Sequence, residues 1–292
     1  MTPFTDAERI ACEYLIELAL AEDLGPRMLL DGDVTSVSFI DADRTGSAAL
    51  VARKPGVLAG LPAAAAVFAR VDREVTFQSA QADGAMLNPG DQIAVVHGRM
   101  RSILAAERTA LNFVQHLSGI ATLTRQFVEG VAGTRAKILD TRKTLPGWRL
   151  LAKYAVRQGG GHNHRMGLFD MALIKDNHWS AWPTPRDLPG RFRAFRVRDP
   201  GVPIEIEVDS LAQLDEVLPA APDIVLLDNM TVDQTREAVR RRNAAAPPVL
   251  LEASGGITLA TVRSLAETGV DRISVGALTH SAPALDIALD YQ

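Results

Sequence analysis

The sequence predicts an α/β protein in which an N-terminal α+β domain with an antiparallel sheet is followed by an incomplete (β/α) barrel domain. Up to about residue 100, short strand-like runs are separated by turn sequences such as Asp83-Gly84. Beyond residue 130, short apolar runs alternate with amphipathic helical patterns at a spacing of roughly 20–25 residues, which is typical of a parallel sheet. No Gly-x-Gly-x-x-Gly sequence follows the first of these runs, so the pattern favours a barrel over a dinucleotide-binding fold.

The N-terminal domain is predicted over residues 1–113, and we expect the C-terminal segment 280–292 to pack on it. A helix is predicted over 5–23, because Thr5 and Glu8 have capping-box spacing and apolar residues recur at helical intervals. Three strand-like runs follow, interrupted by an alanine-rich helical stretch. The runs are 48–52, 75–79 and 93–96, and the helical stretch is 61–71.

The barrel domain, which holds the candidate active site, is predicted over residues 114–279. A long helical stretch, 104–128, leads into it. Its predicted strands are six short apolar runs: 137–139, 171–174, 204–208, 224–227, 249–251 and 272–275. Amphipathic helices are predicted between the later runs, over 211–218, 232–242 and 259–267. Segment 180–202 is rich in proline and arginine, which indicates a surface excursion.

Composition restricts the class of protein. The chain of 292 residues carries 31 Lys and Arg against 35 Asp and Glu, a formal net charge of −4, which argues against a nucleic-acid partner. Cys12 is the single cysteine, so a disulfide within the chain and a multi-cysteine metal site are excluded, and its helical context predicts a packed thiol. Acidic residues stand where a signal peptide would be basic, and the most apolar stretch is too short to span a bilayer. We therefore expect a soluble, cytoplasmic protein without a membrane partner.

Charged residues or glycines follow each of the six predicted barrel strands. In a parallel barrel, the active site lies at the carboxyl ends of the strands, because the βα loops converge there. The residues at these ends are 140–143, 175–178, 207 and 209, 228–229, 252–256 and 276. A barrel without a site would distribute its charges over both rims, so this arrangement indicates a functional site.

These charges are sorted by sign. Segment 140–178 holds seven Lys and Arg against three Asp, whereas the later strand ends supply carboxylates at Glu205, Glu207, Asp228 and Glu252. A cationic wall facing carboxylates suits a polyanionic substrate and a hard divalent cation. Glu205 and Glu207 share one face of their strand, which in a packed barrel is the interior. Because an unpaired carboxylate is costly there, metal ligation or a hydrogen-bonding site accounts for them.

Three cationic residues are candidates for anion binding. Arg142 and Lys143 directly follow a strand, which favours an anion site over surface charge, and Lys175 ends an apolar run, where a half-buried lysine indicates function. Three other cations, by contrast, have helical spacing and are predicted to form a solvated helix face. They are Arg149, Lys153 and Arg157.

Glycine-rich segments supply two further kinds of candidate. The triple glycine 159–161 precedes His162, Asn163, His164 and Arg165 and permits close backbone approach to a ligand. Zinc is disfavoured because no third neutral ligand lies nearby, so we assign His164 and Arg165 to anion recognition. Exposed amides near predicted helix starts are candidate phosphate sites, and they belong to Ser254, Gly255, Gly256 and Gly276.

The motifs in this order strongly resemble the quinolinate phosphoribosyltransferase family. The similarity extends from Glu22 to the C-terminus and is concentrated in specific motifs. They are 107–112, 118–122, 140–144, 153–156, 159–165, 173–178, 227–230, 251–257 and 273–281. The resemblance implies an N-terminal α/β sandwich domain followed by an incomplete (β/α) barrel domain. It also implies an assembly of at least a homodimer, with a hexamer as the larger alternative. It also implies that quinolinate and phosphoribosyl pyrophosphate react, with Mg²⁺, to give nicotinate mononucleotide, pyrophosphate and carbon dioxide.

The resemblance also implies a role for each matching residue. The carboxylates of quinolinate would be bound by Arg142, His164, Arg165 and Lys175, with Arg108 contributed by the neighbouring subunit. Phosphoribosyl pyrophosphate and its metal would be bound by Lys143, Glu207, Asp228, Ser254, Gly255, Gly256 and Gly276. Lys143, Lys175, Glu207 and Asp228 would be catalytic, and Glu207 and Asp228 would hold the metal.

The chain departs from the family pattern at residues 26–31, which lengthen a usually short turn, and at Gln158, where many relatives have cysteine. Three alternative functions remain at the level of the sequence. They are a ModD-type phosphoribosyltransferase with a different acceptor, an aldolase that forms a Schiff base on Lys175, and a non-catalytic nucleotide sensor. A sensor need not keep the whole cationic set together with the metal carboxylates, which favours an enzyme.

Overall fold

The computed structural model describes residues 3–25, 30–182 and 187–292. The chain forms two compact units, each assembled from separate segments. The first comprises Met1–Arg125, Thr144–Gly160 and Ala277–Gln292, and the second comprises Gln126–Lys143 and Gly161–Gly276. Residues 114–125 and 144–160 thus belong to the first unit, whereas the sequence pattern places them in the barrel domain.

Helix α1 (Asp6–Leu24) opens the first unit at the predicted capping box. The Thr5 hydroxyl accepts a hydrogen bond from the Glu8 N–H (3.3 Å), and the Glu8 carboxylate accepts one from the Thr5 N–H (2.7 Å). The buried face of the helix includes Cys12, Ile16 and Leu20. Burial raises the pKa of the Cys12 thiol to about 12, so this residue is the packed thiol that the sequence predicts.

An antiparallel sheet forms the core of the first unit. Its strands, within the described residues, are β1 (Thr45–Ala52), β3 (Thr76–Ser79), β5 (Gln92–Arg99) and β12 (Ile287–Tyr291), in the order β12-β1-β5-β3. Strand β12 comes from the C-terminal segment and pairs with β1 from Ala48–Tyr291 to Ala52–Ile287. A short pair, β2 (Gly56–Val57) and β4 (Met86–Leu87), lies apart from this sheet. The helices that begin in this unit are α2 (Val34–Phe39), α3 (Leu61–Val71), α4 (Met100–Gly130), α5 (Arg149–Gln158) and α11 (Ala277–His280).

Helix α5 corrects one prediction about charge. Arg149, Lys153 and Arg157 have helical spacing, as expected, but Lys153 is fully buried and Arg157 forms an ion pair with the buried Glu8 of α1. The solvated helix face is therefore wrong. Helical spacing shows that cations share a face, but it does not show whether that face meets water or another helix.

A parallel sheet forms the core of the second unit. Its strands in the described chain are β6 (Lys137–Leu139), β7 (Ala172–Ile174), β8 (Ile204–Val208), β9 (Ile224–Asp228), β10 (Leu250–Ser254) and β11 (Arg272–Ser274). The strand order β6-β11-β10-β9-β8-β7 is that of a barrel followed around its circumference, with β6 and β7 as the two edges. The helices are α6 (Asp176–Ala181), α7 (Leu188–Arg198), α8 (Leu211–Val217), α9 (Val232–Ala245) and α10 (Val262–Ala266). The predicted α/β class, with an incomplete barrel in its C-terminal half, is confirmed.

Two predicted segments of the barrel differ from the structure. Segment 180–202 contains helix α7, whose N-cap Asp187 accepts a hydrogen bond from the Gly190 N–H (2.8 Å). Pro189 lies in the first turn of this helix, where the missing N–H costs nothing, so the proline does not break the helix. Helix α10 begins only at Val262, after a turn at 259–261, and is shorter than predicted. Residues 26–29 of the lengthened turn, and Pro183 and Pro185, lie outside the described residues.

Candidate active site

A pocket of about 260 Å³ lies at the carboxyl ends of the parallel strands of the second unit. Eight predicted site residues line it: Arg142, Lys143, His164, Arg165, Lys175, Glu207, Asp228 and Ser254. They converge because Lys175 follows β7, Glu207 lies near the end of β8, and Asp228 ends β9. Parallel strands place their carboxyl ends on the same edge of a sheet, so residues distant in sequence meet there.

The cationic side of the pocket is formed by two arginines. Arg142 Nε is buried and finds no hydrogen-bond acceptor within the described part of the chain. Burial and the nearby Arg142 lower the pKa of Arg165, whose Nη1 donates to the Met171 carbonyl (3.3 Å). An anion would stabilise this arrangement, because the two guanidinium groups are close together and Arg142 Nε lacks a hydrogen-bond acceptor among the described residues.

Lys175 and Glu207 join the cationic and acidic sides of the pocket. The Lys175 ammonium and the Glu207 carboxylate form an ion pair, with side-chain exposures of 41% and 13%. The indole N–H of Trp179 donates to the Glu207 carbonyl (3.3 Å), and the Lys175 N–H donates to His178 Nδ1 (2.9 Å). Both residues are thus held through their backbones as well as through the ion pair.

An acidic hollow of about 280 Å³ adjoins the pocket and shares Glu207 and Asp228 with it. Asp176 and Asp209 also line this hollow. Asp228 Oδ2 accepts a hydrogen bond from the Asn229 side chain (2.8 Å), which holds the carboxylate at the end of β9. Carboxylate oxygens are hard donors of the kind that Mg²⁺ accepts, so the residues present fit that ion.

The two glycines that follow β10 lie in a turn and have backbone conformations that favour glycine. Gly255 (φ 100°) and Gly256 (φ 57°) follow β10, and a Cβ at Gly255 would collide with the side chain of Asn229. The Asn229 N–H donates to the Ser254 carbonyl (2.9 Å), which joins the turns after β9 and β10. The helix that follows is α10, which starts several residues later, so the amides of Ser254, Gly255 and Gly256 do not adjoin its first turn. Gly276, in contrast, directly precedes α11. Phosphate binding by Gly255, Gly256 and Gly276 stays a prediction.

Arg108 is an exposed residue of α4 in the first unit. Its predicted contribution to the site of a neighbouring subunit stays a prediction.

A buried trio beneath the pocket is the feature that sequence reasoning described only in part. His164 Nε2 lies 3.0 Å from Glu205 Oε2 and 3.2 Å from Glu252 Oε1, and both glutamates are fully buried. Alternation along β8 predicts the inward position of Glu205. It does not reveal His164 as its partner, because the two residues meet only through the tertiary fold.

The trio retains a proton near neutral pH. Burial lowers the pKa of His164, but the hydrogen bonds and charges of Glu205 and Glu252 outweigh burial and raise it to about 9. Burial and Glu252 also raise the pKa of Glu205. His164 Nδ1 accepts a hydrogen bond from the Arg165 N–H (2.8 Å) and therefore carries no proton. The ring is therefore neutral, with its one proton on Nε2, and the additional proton that this coupled trio retains lies on a glutamate carboxyl group.

The second unit is therefore an α/β enzyme scaffold whose carboxyl edge presents cations to an anionic ligand and carboxylates to a cation. The C-terminal domain of the family described as quinolinate phosphoribosyl transferase matches residues 120–290, and its N-terminal domain matches residues 33–118. The chain belongs to the quinolinate phosphoribosyltransferase family, which confirms the resemblance drawn from the motifs.

Named relatives agree with this assignment. The carboxylating nicotinate-nucleotide pyrophosphorylase of Mycobacterium leprae is 48% identical over 289 residues, which cover 98% of this chain and 99% of the relative. A probable carboxylating nicotinate-nucleotide pyrophosphorylase of Bacillus subtilis is 41% identical, over 92% of this chain and 89% of the relative. The nicotinate-nucleotide pyrophosphorylase structure from Francisella tularensis superposes with a TM-score of 0.89 at 36% identity, over 100% of this chain and 98% of that one.

No helix in the described ranges combines the length and the apolar character needed to cross a membrane.

Proposed function

We propose that the protein transfers the phosphoribosyl group of phosphoribosyl pyrophosphate to quinolinate, with loss of carbon dioxide, to form nicotinate mononucleotide and pyrophosphate. The observation that carries the proposal is the buried Arg142 Nε without an acceptor, beside Arg165 and Lys175 in one pocket. Quinolinate is a dianion, and cations that converge in this way suit two adjacent carboxylates. The names of the curated relatives favour this acceptor over the different acceptor of a ModD-type enzyme.

Arg142, Arg165 and Lys175 would bind and orient quinolinate. Planar guanidinium groups can each donate two parallel hydrogen bonds to a carboxylate, which fixes the plane of the pyridine ring. The ammonium of Lys175, now paired with Glu207, would supply a third positive charge. Orientation matters because the ring nitrogen must approach C1 of the ribose in line with the departing pyrophosphate.

Lys143, Glu207 and Asp228 would act on phosphoribosyl pyrophosphate. Mg²⁺, when bound by Glu207 and Asp228, would neutralise charge on the leaving pyrophosphate. Lys143 would supply further positive charge to the same group, and the two carboxylates would favour cationic character on the sugar as the bond to pyrophosphate lengthens. Ser254, Gly255, Gly256 and Gly276 would donate hydrogen bonds to phosphate oxygens.

The chemistry requires no covalent intermediate with the protein. The lone pair of the pyridine nitrogen forms the bond to C1 as the C1–oxygen bond to pyrophosphate breaks. The 2-carboxylate then leaves as carbon dioxide, and the electron pair left on the ring carbon is stabilised by the adjacent positive nitrogen until a proton replaces the carboxyl group. The protein contributes orientation and charge.

We further propose that the working form is at least a homodimer in which Arg108 of one subunit completes the anion site of the other. The motif that contains Arg108 resembles that of the family, and its side chain is exposed on α4, where a second chain can reach it.

Carbon dioxide release measured with quinolinate and with nicotinate as acceptors tests the proposal. With phosphoribosyl pyrophosphate and Mg²⁺, we expect one carbon dioxide per nicotinate mononucleotide from quinolinate and none from nicotinate, which lacks the 2-carboxylate. Nucleotide formation from nicotinate at a comparable rate, or no turnover of quinolinate, would refute it. Borohydride treatment in the presence of carbonyl substrates should leave Lys175 unmodified, whereas an adduct on Lys175 would support the aldolase alternative.

A further inference from the structure

Both ring nitrogens of His164 are engaged by the protein itself. Nε2 lies within hydrogen-bond distance of Glu205 and Glu252, and Nδ1 accepts the Arg165 N–H at 2.8 Å. The side chain is 6% exposed. A histidine that binds an anion directly must aim a ring N–H at it. In this arrangement the ring of His164 is oriented towards protein groups instead.

The two glutamates form a fixed layer under the pocket. Glu205 precedes Glu207 on β8 by two residues, and Glu252 precedes Ser254 on β10 by two residues. Side chains two positions apart on a strand share a face, so the glutamates lie one layer deeper in the barrel than the residues that line the pocket. Glu252 is fixed further by Arg272, whose Nε donates to Glu252 Oε2 (2.7 Å).

The backbone of His164 is anchored as firmly as its ring. The fully buried carboxylate of Asp140, which follows β6, accepts hydrogen bonds from the His164 N–H (2.9 Å) and from the Asn163 side chain (2.6 Å). His164 is thus fixed at its amide by Asp140 and at its ring by the glutamates. The peptide that follows, which carries the Arg165 N–H, is fixed by Nδ1.

We propose that His164 is a positioning residue: clamped by Asp140, Glu205 and Glu252, it fixes the Arg165 peptide so that the Arg165 guanidinium stays beside Arg142. The inference rests on the proposed function, in which Arg165 binds a carboxylate of quinolinate. Two adjacent guanidinium groups repel each other, and a mobile arginine would turn away. A rigid backbone at Arg165 keeps the anion site assembled before quinolinate arrives, and such preorganisation increases affinity.

A metal ion could also bind to His164, Glu205 and Glu252, since their donor atoms lie within 4.8 Å of one another. The surrounding charge opposes it. Arg272 pairs with Glu252, and Arg165 is close enough to Glu205 for the two charges to interact. A divalent cation would therefore enter a region that already contains two positive charges.

A double-mutant cycle between His164 and Arg165 tests the proposal through the Kd for quinolinate. His164→Gln keeps an amide N–H for the glutamates but removes the acceptor for the Arg165 N–H. His164→Asn places an oxygen near the position of Nδ1 and restores that acceptor. We expect His164→Gln to raise the Kd about tenfold in the unmodified background and less than about twofold in the Arg165→Ala background, because the lost hydrogen bond acts only through Arg165. His164→Asn should recover at least half of the lost affinity on a logarithmic scale.

Controls separate this effect from unfolding and from failure of the proposed function. His97→Gln makes the same exchange at an exposed histidine of the first unit and should leave the Kd unchanged. Thermal unfolding checks that each variant is folded, and if His164→Gln is not, Glu252→Gln replaces it in the cycle. Absence of quinolinate binding by the unmodified protein would contradict the proposed function, whereas binding with equal losses in both backgrounds would overturn the positioning role alone. One equivalent of zinc that is lost in Glu252→Gln would show a metal centre and would also overturn it.

Discussion

Individual side chains in the pocket are brought together against their mutual repulsion. Arg142, Arg165 and Lys175 come from different loops, yet they line one pocket, and Arg142 Nε is left without an acceptor there among the described residues. The backbone N–H groups of Arg165 and Lys175 donate to His164 and His178, which holds these two residues in place. The same arrangement would favour a dianion as the ligand, as proposed above.

Arg142→Ala should reduce kcat/KM for quinolinate by at least about 100-fold, because a buried charge-assisted contact to the substrate is lost in both the ground state and the transition state. The free energy of unfolding should stay unchanged or rise slightly, since the variant removes a repulsive neighbour of Arg165. Steady-state kinetics and urea denaturation check both parts. Arg193→Ala, at an exposed position of α7, is the matched control and should behave as the unmodified protein. Turnover of the Arg142 variant at the unmodified rate would contradict the assignment.

Stability should depend on pH through the buried trio. The raised pKa at His164, about 9 against an ordinary value of 6.5, reflects one additional proton held by the folded trio, so the folded chain binds more protons than the unfolded chain between these values. The contribution is present in full below pH 6.5 and is lost as pH rises through 9, which amounts to about 3 kcal/mol. Urea denaturation at pH 6.5 and 9, at fixed protein concentration, should show this decrease. In His164→Gln the decrease should be much smaller, and an equal decrease in both proteins would assign it to other groups.

The position of a side chain can be predicted from the sequence when the pattern that determines it lies within one strand or helix. Alternation along one strand is local, and it correctly places Glu205 in the interior. The contact between His164 and Glu252 depends on strand order, which no local pattern contains. Lys153 illustrates the opposite error, since its helical spacing is genuine but the face it shares is buried.

At the scale of secondary structure, α9 is joined to the adjacent strands by one buried ion pair. Arg242 Nη1 donates to Asp271 Oδ2 (2.6 Å) and to the Val249 carbonyl (2.5 Å), and Asp271 Oδ2 also accepts the Leu251 N–H (2.9 Å). The pair thus links the helix to the start of β10 and to the residue before β11. These contacts lie at the amino ends of the strands, opposite the pocket, so they stabilise the barrel without entering the site.

Arg242→Met should lower the free energy of unfolding by about 3–5 kcal/mol, because it leaves the buried Asp271 carboxylate without its principal partner. The Kd for quinolinate, measured on the folded fraction, should not change. Arg240→Met, two residues earlier on the exposed face of α9, removes a surface ion pair and should leave stability nearly unchanged. Chemical denaturation of the three proteins measures the difference, and equal stabilities would show that the buried pair contributes nothing.

Helices and strands were predicted correctly where the local residue pattern agreed with the fold. The six barrel strands are short apolar runs, and each predicted run overlaps its strand. Helix α7 was missed because its prolines suggested an irregular segment, although Pro189 occupies a first-turn position that tolerates proline. Helix α10 starts late because Thr258 and Thr261 bond to each other in a turn, which delays the first helical residue.

At the scale of the whole molecule, each unit is assembled from segments that are distant in sequence. The C-terminal strand β12 completes a sheet that begins with β1, so the first unit needs both ends of the described chain. Residues 126–143 likewise join 161–276 in the second unit. The predicted partner residue Arg108 lies in the first unit, whereas the pocket residues lie in the second. A test of the shared site therefore has to use whole chains.

Mixing two inactive variants distinguishes a shared site from an independent one. If Arg108 acts on the neighbouring subunit, a heterodimer of Arg108→Ala and Lys175→Ala contains one site with both residues intact and one site with neither. Random reassociation makes half of the dimers mixed, so about a quarter of the unmodified activity should return. Lys143→Ala mixed with Lys175→Ala is the matched control, because both side chains line the same pocket of one chain and no mixed dimer restores a site. Native mass spectrometry verifies the heterodimers, and their presence without recovered activity would show that Arg108 does not act on the partner.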